Sequence, residues 1–296
     1  MNIELDAQRC GVVILNYGSH DLTVALANKL VNYPSVHDIC VVDNCSGDDF
    51  DSDFSDTKIH YIKNKKNTGY SAGNNVGLRY LIKERHCGYV FIANPDVIFE
   101  DDAIKAMHRM MLDNPEIGLI ATKRYGHEGA TIHQYFDFPN LTTSIKNCFF
   151  FPRRKFEKRR HFIQNMKVDL AEGPIYVDAV PGAFFGIKSQ FLLENNYIYE
   201  GIFLYGEEIV LGHQARDLGY KAAIINNAVY VHDHVQKRFA NRKMFWYDRQ
   251  SLKIYYKLFE SFNLLQWFAL NAAIVLGTAE FNCAYYLYNI IRRSRK

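Results

Sequence analysis

The chain has 296 residues, long enough to bury a full hydrophobic core as one large domain or one domain with an appendage. Apolar residues make up 48% and charged residues 23%, which excludes disordered and collagen-like chains. A net charge of +3 points to no partner by itself, and the 20 Tyr and 21 Phe supply rings suited to sugars and membrane interfaces as well as to a core.

The opening MNIELDAQRCGVVIL sets acids before a short apolar run with no small-residue cleavage pattern, so it reads as a first strand and not a signal peptide. Strand-like and helix-like runs then alternate through residue 122, the pattern of a βαβ sheet. Strands are expected at residues 10–15, 38–43, 58–62, 89–93 and 118–123. Asp21 is expected to cap a helix through residue 31, and the loop 67–75 to feed a helix ending near residue 85. Asn94-Pro95 should stop the fourth strand, because proline cannot donate to a ladder and restricts the residue before it. Asp101 and Asp102 then sit where a helix N-cap belongs. Residues 124–175 are polar, aromatic and basic with weak periodicity, and read as an inserted, partner-facing segment. Ordered elements resume at residues 177–187, with helices near 189–195 and 207–218 and a strand at 221–225. From residue 241 the chain has a helical, increasingly apolar pattern. The six cysteines, Cys10, Cys40, Cys45, Cys87, Cys148 and Cys283, show no CxxC or zinc-ligand spacing and read as reduced thiols of a cytoplasmic protein.

In open α/β sheets ligands bind beyond the carboxyl ends of the strands, so residues just after strands are the first candidates for a site. Asp43-Asn44 could grip a base or ribose, or could simply form an Asx turn. The loop NTGYSAGNNVG matches neither GxGxxG nor a P-loop, although its backbone could still face a phosphate or sugar. Within FIANPDVIFEDDA, Asp96, with help from Asn94, has the oxygen chemistry that hard divalent cations prefer. Glu207 and Glu208 open a helix, where the helix dipole favours acids and where one of them could act as a general base. His232 and His234 end the strand-like VYVHDH and could complete a metal site.

Taken in order, VVILNYGSHD, ICVVDNCSGDD, NKKNTGYSAGNNVG, FIANPDVIF, AVPGAFFGIK, FLYGEEIVLGHQARDLGYK and VYVHDH resemble the motif succession of bacterial family 2 glycosyltransferases, in their rhamnosyltransferase-like branch. The resemblance spans about residues 10–234. It implies an α/β fold of GT-A type, a mixed, mostly parallel sheet flanked by helices, with a catalytic domain over 1–240 and a helical region over 241–296. It also implies a nucleotide-diphosphate sugar donor, Mn2+ or Mg2+, inversion at the anomeric carbon, and a saccharide acceptor of bacterial surface polysaccharide. By this likeness Asp96 takes the metal and diphosphate role of the DxD-type motif, whose first acid is Asn94 here. Asn16, Asp43, Asn67, Gly69 and Asn74 fall on the donor side. Glu208 matches the base of the acidic pair, with Glu207 its alternative. His232 matches a late metal-binding histidine, with His234 as its understudy. Gly182, Ala183, Phe184 and Phe185 line the acceptor side. Where the family commonly has an aspartate two residues after the acidic pair, this chain has Val210, which puts in doubt any acceptor contact made there.

The stretch CFFFPRRKFEKRRHF packs six Arg or Lys among five Phe and suits an anionic membrane surface better than nucleic acid, for which no module is visible. Between residues 262 and 291 the only charge is Glu280, and Arg292, Arg293, Arg295 and Lys296 follow. The asparagines and Gln266 make this a poor spanning helix, so an interfacial helix, or one packing on the catalytic domain or another subunit, is expected. The resulting picture is a cytoplasmic enzyme, peripheral on the inner face of the membrane, acting on a polyprenyl-linked saccharide. The competing readings are a sugar nucleotidyltransferase, disfavoured by the missing basic, glycine-rich loop after Leu15, and a non-catalytic glycan- or membrane-binding protein.

Overall fold

The computed structural model describes residues 3–50, 53–233 and 242–293. In chain order the elements are β1 (Asp6–Asn16), α1 (His20–Val31), β2 (Asp38–Asp43), β3 (Ile59–Lys63), α2 (Tyr70–Lys83), β4 (Cys87–Ala93), β5 (Val97–Ile98), α3 (Asp101–Asp113), β6 (Ile117–Tyr125), α4 (Leu141–Asn147), α5 (Phe150–Asp169), β7 (Ile175–Val177), β8 (Phe184–Lys188), α6 (Ser189–Glu194), α7 (Glu207–Asp217), β9 (Lys221–His232), α8 (Arg242–Phe259) and α9 (Leu264–Arg293). One sheet runs in the order β3-β2-β1-β4-β8-β6-β9-β5, with β7 pairing on β9. Strands β1, β2, β3 and β4 pair parallel, as do β6 and β9, while β8 is antiparallel to both β4 and β6. The mixed, mostly parallel sheet is the one expected.

The central strands are covered on both faces, which is why DICVVD in β2 and CGYVFIA in β4 are apolar runs without alternation, buried from end to end. On one face Leu30, Ile104, Met107 and Met111 pack on Val12, Ile14 and Phe91; on the other Leu78, Leu81, Phe191 and Leu211 pack on Val13, Val90 and Ile92. Each such side chain, fully withdrawn from water, contributes on the order of 1.5–3 kcal/mol. Gly73 and Gly77 in α2 lie against Leu15 and Val13, where a Cβ would come within 2.7 and 2.8 Å, so these glycines set the helix close to β1.

Several local expectations shift. Asp21 does not cap α1: Ser19 takes that position and its carbonyl accepts from Thr23 N, while Asp21 lies in the first turn. Likewise Glu100, and not Asp101 or Asp102, is the N-cap residue of α3. The Asp101 carboxylate instead accepts from the backbone N and Oγ of Ser35 at 3.1 and 3.0 Å, and Glu100 pairs with Lys29. Residues 177–187 are not one element but the end of β7, a loop and most of β8. The weakly periodic stretch contains α4 and α5, and Arg124 and Tyr125 still pair within the sheet.

A third apolar cluster joins Cys148, just after α4, and Val210 of α7 to Tyr255 and Tyr256 of α8 and Leu270 and Ile274 of α9. The Val210 side chain is thus committed to the seat of the C-terminal helices. The opposite side of α9 is open: Leu264 is 89% exposed, Phe268 72% and Val275 67%. The stretch Leu264–Tyr288 is long and apolar enough to cross a membrane.

Candidate functional site

The parallel strands bring residues far apart in the chain to a single edge. Asn16 ends β1, Asp43 ends β2, Asn94 follows β4 and His232 ends β9. Because β8 runs the other way, its first residue, Phe184, sits opposite Ala93, and the preceding loop reaches the same edge. Asn94 N donates to the Ala183 carbonyl at 2.8 Å, tying that loop to the turn carrying Asp96.

At one end of this edge Asp43 is fully buried. Its Oδ1 accepts from Ser46 N at 3.0 Å and from Asn16 Nδ2 at 3.4 Å, whereas Oδ2 is buried with no hydrogen-bond partner. Asn16 is itself held by Asp48, Ser46, Ser19 and Thr23. Asn44 is a hub and does not reach outward: its Nδ2 donates to Asn67 Oδ1 and to the Gly69 carbonyl, and its Oδ1 accepts from Asn64 and Thr68. Asn67 Oδ1 therefore serves the loop, accepting from Gly69 N as well. Asn74 donates to the Tyr70 carbonyl, and its Oδ1, like Ser71 Oγ, is buried without a partner. Since nearly all buried polar atoms in folded proteins are hydrogen-bonded, three orphans along one edge mark a place built to receive polar groups from a ligand.

Gly69 precedes α2 with φ of +85°, in the region that favours glycine. A Cβ there would collide with the Phe203 carbonyl, which accepts from Tyr70 N at 2.9 Å. That contact pins the loop before the acidic pair to the start of α2. Tyr70 OH donates to the Gly182 carbonyl. Gly182 in turn lies under Glu208, where a Cβ would come within 2.6 Å of Oε1. Tyr70, Gly182 and Glu208 thus form one contiguous wall.

The two acids differ. Glu207 is buried, and its Oε2 has no partner. Burial, and then the charge of Glu208, push its carboxyl well above the usual range. Glu208 is partly exposed. Burial raises it as well, while hydrogen bonding to backbone at Glu208, Gly182 and Gly206 and the charge of Arg124 pull the other way. A carboxylate that is reachable, raised and backed by a cation suits proton abstraction; Glu207 is the less accessible of the pair. Burial and the two glutamate charges raise Tyr70 well above its ordinary value, so its hydroxyl stays a donor.

Asp96 Oδ1 and His232 Nε2 lie 3.3 Å apart, both side chains about a quarter exposed. Two ligands in adjacent positions on an octahedral cation with bonds of about 2.1 Å stand roughly 3.0 Å apart, so this pair fits a shared Mg2+ or Mn2+. Among the described residues no group of three or more His, Cys, Asp or Glu converges as a metal set. His234 lies outside the described residues. The neighbouring Asp233 pairs with His127.

Some expected residues face elsewhere. The Phe184 ring stacks on Phe99 with centroids 3.9 Å apart and meets Tyr230 edge-on, so it is core and contributes no side chain to an acceptor wall. Ala183 is likewise buried and offers its carbonyl to Asn94. Sequence reasoning missed Tyr70 and Arg124. Arg124 is the penultimate residue of β6, which runs parallel to β9, and the strand-end rule that picked out Asp43 would have flagged it. Tyr70 carried no such signal.

Residues 11–170 match the family model described as Glycosyl transferase family 2. Over 205 residues the chain is 26% identical to the low-salt glycan biosynthesis hexosyltransferase Agl10 of Haloferax volcanii, covering 69% of this chain and 61% of that protein's length. Among solved structures, GalNAc-T7 with UDP, GalNAc and Mn2+ superimposes with a TM-score of 0.58 at 11% identity, covering 78% of this chain and 44% of that one. S. aureus TarS 1-349 in complex with UDP superimposes with a TM-score of 0.52 at 13% identity, covering 91% and 70%. At these identities the structural likeness speaks for the fold.

Proposed function

The chain belongs to glycosyl transferase family 2, and from that premise we propose that it is an inverting glycosyltransferase moving a sugar from a nucleotide-diphosphate sugar to a hydroxyl of a saccharide acceptor. The observation that carries this reading is the approach of Asp96 and His232 to 3.3 Å at the carboxyl edge of the sheet. Asp43, with Oδ2 free of a partner, receives a donor group of the base or ribose, and Asn16 holds that carboxylate in place. Asn74 Oδ1 and Ser71 Oγ offer further polar atoms to the donor. Asp96 and His232 would hold a divalent cation, Mn2+ or Mg2+, which would offset negative charge on the departing diphosphate. Glu208 takes the proton from the acceptor hydroxyl as that oxygen bonds to the anomeric carbon. The bond from that carbon to the diphosphate oxygen breaks, and its electron pair leaves with the nucleotide diphosphate. The Arg124 charge favours the ionised form of Glu208 before the transfer. No covalent enzyme intermediate is needed.

The hexosyltransferase in the relative's name is in keeping with a hexose as the sugar transferred, and its glycan biosynthesis with a saccharide acceptor. The 1–240 region is the catalytic domain and residues 241–296 a helical region that seats it. On α9 the exposed Leu264, Leu265, Phe268, Val275, Leu276, Leu287 and Ile290 form a stripe, roughly 39 Å long at about 1.5 Å per residue. Its other side packs on α4 and α8, so α9 lies along the domain with one side for the membrane surface, as suits a peripheral enzyme on the cytoplasmic face that uses a lipid-linked acceptor. A second copy of the chain would be the alternative cover.

The test is turnover of nucleotide sugars by the purified chain, with and without EDTA, and in Asp96→Ala and Glu208→Gln. Transfer should fall in all three; undiminished transfer would overturn the mechanism.

A further inference from the structure

A cavity of about 700 Å³ opens between α4, α5 and α8, within the range of about 300–1,000 Å³ typical of small-molecule sites. Its wall carries Lys146 from α4 and Arg159, Arg160 and Lys167 from α5, with Arg249 of α8 at its floor. Arg160, Ile163, Gln164 and Lys167 follow helical spacing and therefore share one face of α5. Among the described residues no carboxylate pairs with Lys146, Arg159, Arg160 or Lys167. The acids in the lining are Asp137 and Asp248, and Asp248 is already paired with Arg249. Among the described lining residues Asp137 is the one carboxylate left to face these four cations, so the concavity carries a surplus of positive charge that an anion from outside would offset.

The cavity is preformed. Gln164 donates to the Tyr135 carbonyl at 3.0 Å and accepts from Gln134 N at 3.0 Å, and Asn165 donates to the Ile132 carbonyl at 2.8 Å; these bonds fix α5 to the chain at 132–135. Arg249 donates to the Asn147 carbonyl at 2.9 Å, closing the end of α4 over α8. The lining also includes apolar groups, Phe138, Ile163 and Leu252, as a phosphate carried on an apolar or sugar body would need.

The cavity adjoins the acid pair. Ile209, the residue after Glu208, lines it, and Asp248 lies near enough to Glu207 for its charge to act on that carboxyl. Phe136, also in the lining, pairs with Ala179 at the start of the loop that carries Gly182.

We propose that this cleft binds the phosphate or diphosphate group of the acceptor, so that the acceptor is anchored by its anionic end while its hydroxyl reaches Glu208. The inference rests on the glycosyltransferase reading for its term "acceptor", but the anion site itself is tested by binding. The soluble probes are geranyl diphosphate, geraniol and inorganic pyrophosphate, titrated calorimetrically into the full chain, into Arg159→Glu/Arg160→Glu/Lys167→Glu, and into Asp96→Ala. Geranyl diphosphate should bind the wild type and Asp96→Ala alike, weaken at least about tenfold in the triple variant, as expected when charge-assisted hydrogen bonds are lost, and outcompete geraniol. Pyrophosphate binding as tightly as geranyl diphosphate would assign the site to the phosphates alone; tighter binding of geranyl diphosphate would assign it to a lipid-linked phosphate, and both support it. Binding unchanged in the triple variant, lost only in Asp96→Ala, or absent from the wild type would overturn it. The milder Arg160→Gln/Lys167→Gln variant gives the same readout if the triple variant does not fold. Stabilisation by UDP with Mn2+ is followed in parallel. Its retention in the triple variant separates failure of the cleft from failure of the donor site, since each acts only through its own bound ligand.

Discussion

At the amino-terminal edge of the sheet, Asp38 is completely buried, yet both its oxygens are engaged: Arg9 Nε donates to Oδ2 at 2.8 Å, Arg85 Nε donates to Oδ1 at 2.6 Å, and His60 Nε2 lies 3.1 Å from Oδ1. At the carboxyl edge, Asp43 of the same strand is equally buried, and one of its oxygens has no partner. Ser71, Asn74 and Glu207 add further orphaned oxygens on that side. Only four residues separate the two aspartates of this strand, and they serve opposite ends. A buried charge that is fully paired locks strands together, whereas one left half-paired costs stability that only a bound ligand returns. The contrast separates scaffold from site without reference to any likeness.

The largest expected effect breaks the site and spares the scaffold. Glu208→Gln should lower the transfer rate by roughly 10²–10⁴-fold, the range for loss of a general base, with an unchanged or higher melting temperature. Equal loss of rate and fold would place Glu208 with Asp38 instead. Asp38→Asn should do the reverse. Leaving Arg9 and Arg85 without their buried anion is expected to cost about 3–5 kcal/mol, measured by urea unfolding, while the folded fraction keeps its affinity for donor. Asp43→Asn should weaken nucleotide binding by about tenfold, near 1.4 kcal/mol, with little change in unfolding, because it removes a charge that the fold leaves half-paired.

The pH dependence carries opposite signs at the two edges. Burial alone would raise the Asp38 carboxyl, but hydrogen bonds from Arg85 and His60 and the charges of Arg9 and Arg85 hold it below the ordinary range. Its contribution to stability is therefore present above the unfolded value of about 3.9 and is lost as pH falls through the lower folded value. Glu207 is raised, so its folded form holds the proton more tightly than the unfolded chain does, and stability declines as pH rises above about 4.3 toward the folded value. Glu207→Gln should flatten that decline. The smallest effect follows: at neutral pH the variant should be more stable by about 1 kcal/mol, a rise in melting temperature of roughly 2–4 °C, and the gain should vanish near pH 4. The transfer rate should rise with pH through the raised value of Glu208 and lose that rise in Glu208→Gln.

Much of the sheet was legible because its strands are buried on both faces and punctuated by turn residues. Residues 38–43 coincide with β2, and Asn94-Pro95 ends β4 one residue after Ala93 for the reason proline supplies. The starts of α6 and α7 were legible to the residue, but α1 begins two residues earlier than a cap at Asp21 would allow and α2 begins at Tyr70, inside the stretch 67–75 expected as a loop; the miss at α3 is instructive. Asp101 has the composition of a cap, yet its carboxylate is drawn to Ser35 across the interface with the α1–β2 turn, a partner that local sequence does not show. The helices α4 and α5 were read as irregular because the run FFPRRKFEKRR offers no single apolar face. Among site residues, Asp96 and His232 stood out by chemistry and strand position. Asn67 and Phe184 also stood out but serve the loop and the core, and Tyr70 gained its place only through a carbonyl 112 positions away.

By itself, then, the sequence determined the buried central strands, where β2 and β4 stop, and which acids, amides and imidazoles stand at strand ends, since burial periodicity and proline act within a few residues. Only the tertiary structure decided which of those groups meet. Parallel pairing carries the ends of β1, β2, β4 and β9 to a common edge, and the reversed β8 brings Gly182 beneath Glu208. The state of each acid was decided there too, because whether a buried carboxylate is paired, as in Asp38, or left with a bare oxygen, as in Asp43 and Glu207, depends on neighbours that only the fold supplies.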